Sequence, residues 1–467
     1  MLFDPHYRKL AHEVVDAMFD HVETIESRPV VDWHAPLELR DQVTIGSGGS
    51  DPMERVRFLA EGAIQLHHPS YMGHQVCPPF PTAVIADLVI STLNQSTAVW
   101  EMSPVATLVE QEVTRWLARR AGYDDSSLGT AVSGGSAANL TGLLAARARW
   151  TAISHDASKR ATVLCSADAH YSVARAASIM GIGSEDVLKV PTDESHRLDL
   201  TALDAMLGEV RAQDDRSVMA VVATAGSTAT GAFDDLNAVA AICRKHQVWL
   251  HVDAAHGASV LLSDRLRGLV RGLEQADSFA WDPHKMLWMP LSFGVILVRD
   301  GQWLRRAFQA DAPYLFHAER ATDNLGEMTI QCSKRAEAVK LWLTLQIAGT
   351  APLESALDSV TAVTRDLYDR VVRSDDFEAM HVPDFNIFCF RYIGSPGSRI
   401  PAESLDARNG EIREALVRSG RAWITSTILK GSRVLRVTII NPRTRTAHVA
   451  SMLDAVRELA ASPTGRS

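Results

Sequence analysis

Apolar and polar positions recur along this chain with two periods, one helical and one strand-like, and these predict where its elements fall. The first 25 residues space their apolar side chains as an amphipathic helix does. A polar Gly/Ser stretch, Gly46 to Ser50, follows, and a proline-rich segment from Pro69 to Pro81 leads into the main body. The spacing predicts a second helix over residues 103–121. Ser103 would cap it, Pro104 suits its first turn, and Gly122 lies just past its end. Val105, Leu108, Val109, Val113, Trp116 and Leu117 are expected to form its buried face.

Beyond this helix the pattern alternates. Short β-rich runs at Ala161–Cys165, Val218–Thr224, Val248–Val252 and Phe293–Val298 are separated by helical stretches. Such alternation predicts an α/β fold with a mostly parallel sheet covered by helices. Sites in such folds form at the carboxyl ends of the strands, where His170, Thr228 and Asp253 fall. A helical pattern from about Lys334 to Gly349 then leads to a C-terminal α+β unit. Phe385–Tyr392 and Val434–Ile440 are its expected strands, and Thr446–Ala460 its closing helix. The expected organisation is an N-terminal helical segment over residues 1–80, a large domain over 81–349 and a small domain over 350–467.

Composition narrows the function classes. Hydrophobic residues make up 46% and charged residues 22%, the balance of a soluble globular protein. The net charge of −9 without a Lys/Arg block argues against nucleic acid or an anionic membrane surface as partner. No apolar run is long enough to span a bilayer, and the opening MLFDPHYRKLAHEVV lacks a signal-peptide core. The five cysteines are scattered without a CxxC pair, which predicts free thiols in a reducing cytoplasm and no metal site.

Three short stretches carry candidate chemistry. Ser133-Gly134-Gly135-Ser136-Ala137-Ala138-Asn139 follows an apolar run and opens a helix. Glycines let the backbone approach an anion, and the first N–H groups of the helix point at it. A plain glycine-rich turn reads the same way. Asp253 ends the apolar strand Val248–Val252, where a carboxylate can cap a helix or face a pyridine nitrogen. Lys285 follows Pro283-His284 and precedes Met286, Leu287, Trp288 and Met289. A desolvated amine suits Schiff-base chemistry, and a lysine snorkelling from a buried strand would look alike.

Taken in order, these stretches resemble the group II pyridoxal-phosphate decarboxylases, which include glutamate, aromatic amino acid and cysteine sulfinate decarboxylases. The resemblance covers nearly the whole chain. It runs from His68-Pro69 and Tyr71–Gln75 through Glu101–Pro104, Ser133–Asn139 and Ala169–Ser172. It continues through Thr224–Thr228, Val252–Ala255 and Asp282–Lys285 to Leu435–Val437 and Asn441-Pro442. It implies a fold type I enzyme, aspartate aminotransferase-like, that binds pyridoxal 5'-phosphate and releases CO2 and an amine from an L-amino acid. Lys285 matches the Schiff-base lysine, Asp253 the partner of the pyridine nitrogen, and His170 the imidazole stacked on the ring. Thr228 matches a hydroxyl near the phenolic oxygen, and Ala255 the small residue under the ring. Gly135, Ser136 and His284 match phosphate contacts, and Arg436 matches the arginine near the substrate carboxylate. A cytoplasmic homodimer with its active site near the subunit interface is also implied.

Departures from the family pattern bear on substrate and outcome. Asp282 stands where many relatives have Asn, and an acid beside a phosphate is unfavourable unless its side chain turns away. His74, Gln75, Ser96 and Ala98 stand where aromatic amino acid decarboxylases place bulky apolar groups, so a small polar or acidic substrate side chain is expected. His256 either faces the substrate or is a satisfied structural residue. Lys334 falls where relatives carry Arg, and Arg335 beside it is the alternative. The loop from His317 to Met328 lacks the family's tyrosine, while Tyr314 and Phe316 lie just before it. Loss of that tyrosine is associated in the family with oxidative deamination to an aldehyde. The family's Phe-for-Tyr signature is also missing, so ordinary decarboxylation with His170 or His317 as donor remains the expectation. Another pyridoxal-phosphate lyase reaction, or a catalytically silent binding homologue, are the alternatives.

Overall fold

A computed structural model describes residues 4–43, 45, 51–153, 158–309 and 324–461. Gly46–Ser50, Tyr314, Phe316, His317 and the loop as far as residue 323 therefore lie outside the described residues. The chain forms two compact units, one from residues 1–74, 360–382 and 386–467, the other from 75–359 and 383–385.

The larger unit is built on seven strands. They are β1 (Leu128–Val132), β2 (Arg160–Ser166), β3 (Val187–Val190), β4 (Arg216–Thr224), β5 (Trp249–Asp253), β6 (Ser278–Trp281) and β7 (Gly294–Val298). Their order is β1-β7-β6-β5-β4-β2-β3. β7 runs antiparallel to both neighbours, and the other pairs are parallel. β5, β6 and β7 are buried along their whole length, as strands covered by helices on both faces must be. The covering helices start at side-chain caps. Asp199 accepts from the Ala202 N–H before Leu200–Arg211, and Asp235 from the Ala238 N–H before Leu236–His246. Gln247 ends the latter in the left-handed conformation.

The smaller unit carries an antiparallel sheet of β8 (Phe377–Ala379), β9 (Ile387–Tyr392), β10 (Thr425–Leu429) and β11 (Ser432–Thr438) in the order β10-β11-β9-β8. Helices Leu405–Arg418 and Thr446–Ala461 belong to it, as does the N-terminal helix Pro5–Glu23.

Three sequence expectations change. The second helix runs from Pro104 to Arg120, but Val105 and Leu108 are exposed. Its buried side is Ala106, Val109, Glu110, Val113 and Leu117. Glu110 wins the inner face because its carboxylate accepts from the Thr130 hydroxyl, the Ala131 N–H and the fully buried Lys334 ammonium. Pairing on this scale offsets the cost of burying the charge. Ser103 holds the N-cap position as expected, but its hydroxyl makes no capping bond and donates to Gln95 instead. The later helix begins at Ala338 rather than near Lys334. Residues 334 and 335 are held against Ser96 and Thr97 by backbone bonds.

Candidate active site

The carboxyl ends of β1, β2, β4, β5 and β6 converge on a cavity of about 340 Å³. It gathers Gly135, Ser136, His170, Thr228, Asp253, Ala255, His284 and Lys285, with His256 and Asp282 beside them. The sequence expectation for these positions thus becomes one site within the larger unit.

β1 ends at Val132, and the loop Ser133-Gly134 turns directly into the helix Gly135–Ile153. Gly134 has φ +140°, and a Cβ there would lie 3.0 Å from the His284 ring. At Gly135 a Cβ would come within 2.9 Å of the Ala255 methyl. Only glycines leave this cradle open, and the first N–H groups of the helix have no intrahelical acceptor.

Asp253 is buried at the end of β5. Its carboxylate accepts from Asn139 Nδ2 at 2.9 Å and from the Ala255 N–H at 3.3 Å. His170 reaches the cavity from the turn after β2, and its Nδ1 lies 2.8 Å from the Ser172 hydroxyl. Burial pushes the His170 imidazole below its ordinary value, against the pull of Asp253.

Lys285 follows β6 on the short helix Pro283–Met286, and its flanking Met286, Leu287, Trp288 and Met289 are fully buried. Its Nζ lies 3.2 Å from Asp282 Oδ2. The acid that departs from the family pattern faces the lysine, and the same oxygen borders the cradle, 2.8 Å from where a Gly135 Cβ would sit. His284 Nδ1 accepts the Phe293 N–H at 2.9 Å, and burial lowers its pKa.

The residues present fit a phosphorylated pyridine aldehyde. The glycine cradle and helix start suit an anion, the buried carboxylate suits a ring nitrogen, and the amine suits the aldehyde carbon. Thr224 Oγ1 and Asp282 Oδ1 are buried without a hydrogen-bond partner at this cavity. Among the described residues no cluster of His, Cys, Asp or Glu is arranged to hold a metal ion.

The other positions compared with substrate contacts have surroundings of their own. Ser96 and Lys334 are engaged with each other, and Arg335 pairs with Asp87 and Glu337. Gln75 is outside the cavity lining, and its Nε2 is buried without a partner. His74 and Arg436 belong to the smaller unit. There Arg436 donates to the Gly73 carbonyl and the Thr425 hydroxyl, and the His74 ring lies 6.4 Å from that of Trp423.

His251 was not singled out in the sequence, yet it is fully buried behind Asp253, and burial lowers its pKa to about 4. An unfolded histidine titrates near 6.5. Above that pH both states are neutral. As pH falls from about 6.5 toward about 4, the unfolded chain takes a proton that the folded chain refuses, and stability is lost. The loss is roughly 3 kcal/mol. Urea unfolding of the wild type and of His251→Gln should therefore converge as pH falls through this window. Curves that stay parallel would exclude this histidine as the cause.

Residues 58–393 match the pyridoxal-dependent decarboxylase conserved domain. The aromatic-L-amino-acid decarboxylase of Bacillus atrophaeus is 31% identical, covering 97% of this chain and 95% of that protein. The L-2,4-diaminobutyrate decarboxylase of Rhizobium meliloti is 35% identical, covering 89% of this chain and 83% of that protein. The crystal structure of mouse CSAD aligns with a TM-score of 0.88 at 28% identity, covering 98% of this chain and 99% of that one. The chain belongs to the pyridoxal-dependent decarboxylase family, with the family's fold type I α/β architecture. It is a pyridoxal-phosphate-dependent amino acid decarboxylase.

Proposed function

We propose, from that membership, that this enzyme decarboxylates an L-amino acid with a small polar or acidic side chain, with Lys285 as the point of cofactor attachment. The observation that carries this reading is the convergence of Lys285, Asp253, His170 and the glycine cradle on one cavity. Bound there, pyridoxal phosphate supplies the electron sink for the pair left behind when CO2 departs.

The chain's own residues hold and orient. The backbone at Gly135 and Ser136 and the His284 side chain would hold the phosphate. The Asp253 carboxylate would keep a proton on the pyridine nitrogen. His170 would cover one face of the ring, and the Ala255 methyl would leave room on the other. Thr228 would offer its hydroxyl to the phenolic oxygen. The Asp282 carboxylate holds the Lys285 Nζ in place and can share its proton.

Among the described residues, the cavity carries three imidazoles, His170, His256 and His284, and no Phe, Tyr or Trp. Such a lining supports a polar side chain over an indole. Purified enzyme offered the common amino acids, with CO2, amine, aldehyde and peroxide followed, should give CO2 and amine from small polar or acidic substrates. Aldehyde and peroxide without amine would overturn ordinary decarboxylation, and a preference for tryptophan would overturn the substrate class.

A homodimer is the second part of the reading. Helix Pro81–Leu93 exposes Val84, Ile85, Leu88, Val89 and Leu93, and helix Pro104–Arg120 exposes Val105 and Leu108. Ile90 and Ala106 share one apolar cluster with Ala336 and Val339. Exposed apolar side chains in this number support an interface, and a second copy of this chain is the occupant that the family resemblance implies. Each buried leucine is worth about 1.5–3 kcal/mol. Leu88→Glu with Leu108→Glu should shift the protein from dimer to monomer in sedimentation. A fully active wild-type monomer would contradict the assignment.

A further inference from the structure

Behind the cavity lies a buried polar chain whose hydrogen bonds can run in only one direction. It exists because alternation along β5 sends Trp249, His251 and Asp253 to the same face of the sheet. The register of β5 with β6 sets His251 opposite Ser278. Gly142 makes room on the covering helix, since a Cβ there would come within 2.5 Å of the His251 ring. Asn139, Ser172, His251 and Ser278 are all essentially inaccessible to solvent.

The direction follows from donor and acceptor chemistry. The indole N–H of Trp249 can only donate, and it meets Ser278 Oγ at 2.9 Å. At the far end the Asp253 carboxylate can only accept, so the Asn139 amide nitrogen must face it, at 2.9 Å. Asn139 Oδ1 then faces His251 Nε2 at 3.0 Å, and that nitrogen must carry the proton. His251 is held neutral by burial. Its Nδ1 is therefore an acceptor, served by the Ser278 hydroxyl at 2.8 Å. The second amide N–H of Asn139 goes to Ser172 Oγ at 2.9 Å. The Ser172 hydroxyl is left to donate to His170 Nδ1 at 2.8 Å. The Ser172 backbone N–H points at the same nitrogen from 3.3 Å.

We propose that Asn139 is the positioning residue of this active site, fixing the Asp253 carboxylate with one N–H and, through Ser172, holding His170 in the tautomer that carries its proton on Nε2. Any hydrogen bond or proton that His170 gives then leaves from Nε2. The inference rests on the reading of Asp253 and His170 as the groups that meet the cofactor. The tautomer itself is a property of the chain and can fail without touching Lys285.

The test uses holoenzyme labelled with nitrogen-15 histidine, with His170→Gln to identify the His170 signals. Wild type should show His170 Nδ1 without a proton and Nε2 protonated. Ser172→Ala should move these signals toward a tautomer mixture while cofactor affinity stays within about twofold, because Asp253 keeps its bond from Asn139. Asn139→Leu should move the signals in the same way and also weaken cofactor binding by about tenfold to a hundredfold, the range for a lost bond to a charged group. A protonated Nδ1 in wild type would overturn the proposal. So would His170 signals that stay put in Ser172→Ala, a variant that removes one hydroxyl and serves even if Asn139→Leu does not fold.

Discussion

Lys285→Ala is expected to lose the visible absorbance band of lysine-bound cofactor and to retain roughly a thousandth or less of the wild-type turnover, the scale set by removing a group that holds or moves the reacting proton. Lys285 sits immediately after β6 on a helical turn pinned by buried Met286 and Trp288, so its amine has little choice of direction. Its only ion-pair partner among the described residues is Asp282. Lys285→Arg separates two explanations. A guanidinium keeps a cation beside Asp282 and so preserves the local charge balance, but it cannot form the carbon–nitrogen bond that attachment needs. If charge were all that mattered, Lys285→Arg would be active. If attachment matters, it fails as completely as Lys285→Ala. Circular dichroism should show both variants folded, since the lysine side chain is partly exposed and makes one polar contact.

The second large effect is expected at Asp253. Asp253→Asn conserves shape and removes the charge. A buried carboxylate facing a protonated pyridine nitrogen is one half of a buried ion pair, and removing one partner of such a pair costs about 3–5 kcal/mol. That corresponds to a fall in kcat of roughly 10²- to 10⁴-fold with cofactor saturating. KM for the amino acid should change far less, because Asp253 is placed to act on the ring and not on the substrate. A variant with normal kcat and raised KM would mean that the carboxylate contacts substrate, and the orientation assigned to the cofactor would be wrong.

Much of the site was legible in the sequence because its parts are local. A glycine loop before a helix, a carboxylate closing an apolar strand and a lysine in an apolar run are each readable within about seven residues. The strand–helix alternation that brings them together is readable over the whole large unit. Two of the four C-terminal strands, β9 and β11, and the closing helix match the sequence pattern to within a few residues, while β8 and β10 are not visible in it. Three things were not legible, for physical reasons. The inner face of helix Pro104–Arg120 is decided by Glu110, whose burial depends on Lys334, more than two hundred positions away. Periodicity alone counts a glutamate as polar and outside. Ser96 was assigned to a substrate pocket by position in the family pattern, but a backbone bond to residue 334 claims its hydroxyl. The chain behind Asp253 was hidden because histidine and tryptophan in a strand read as ordinary core. The available signal was the two-residue spacing of Trp249, His251 and Asp253, which puts all three on one face. Asp282 shows the reverse case: its departure from the family pattern is visible in sequence, and the structure places its carboxylate 3.2 Å from Lys285 Nζ.

The most direct measurement is borohydride reduction of the holoenzyme followed by peptide mass analysis. The reduced cofactor should appear on one peptide, the one that contains Lys285. Cofactor found on any other lysine, or a covalent adduct that survives in Lys285→Ala, would contradict it.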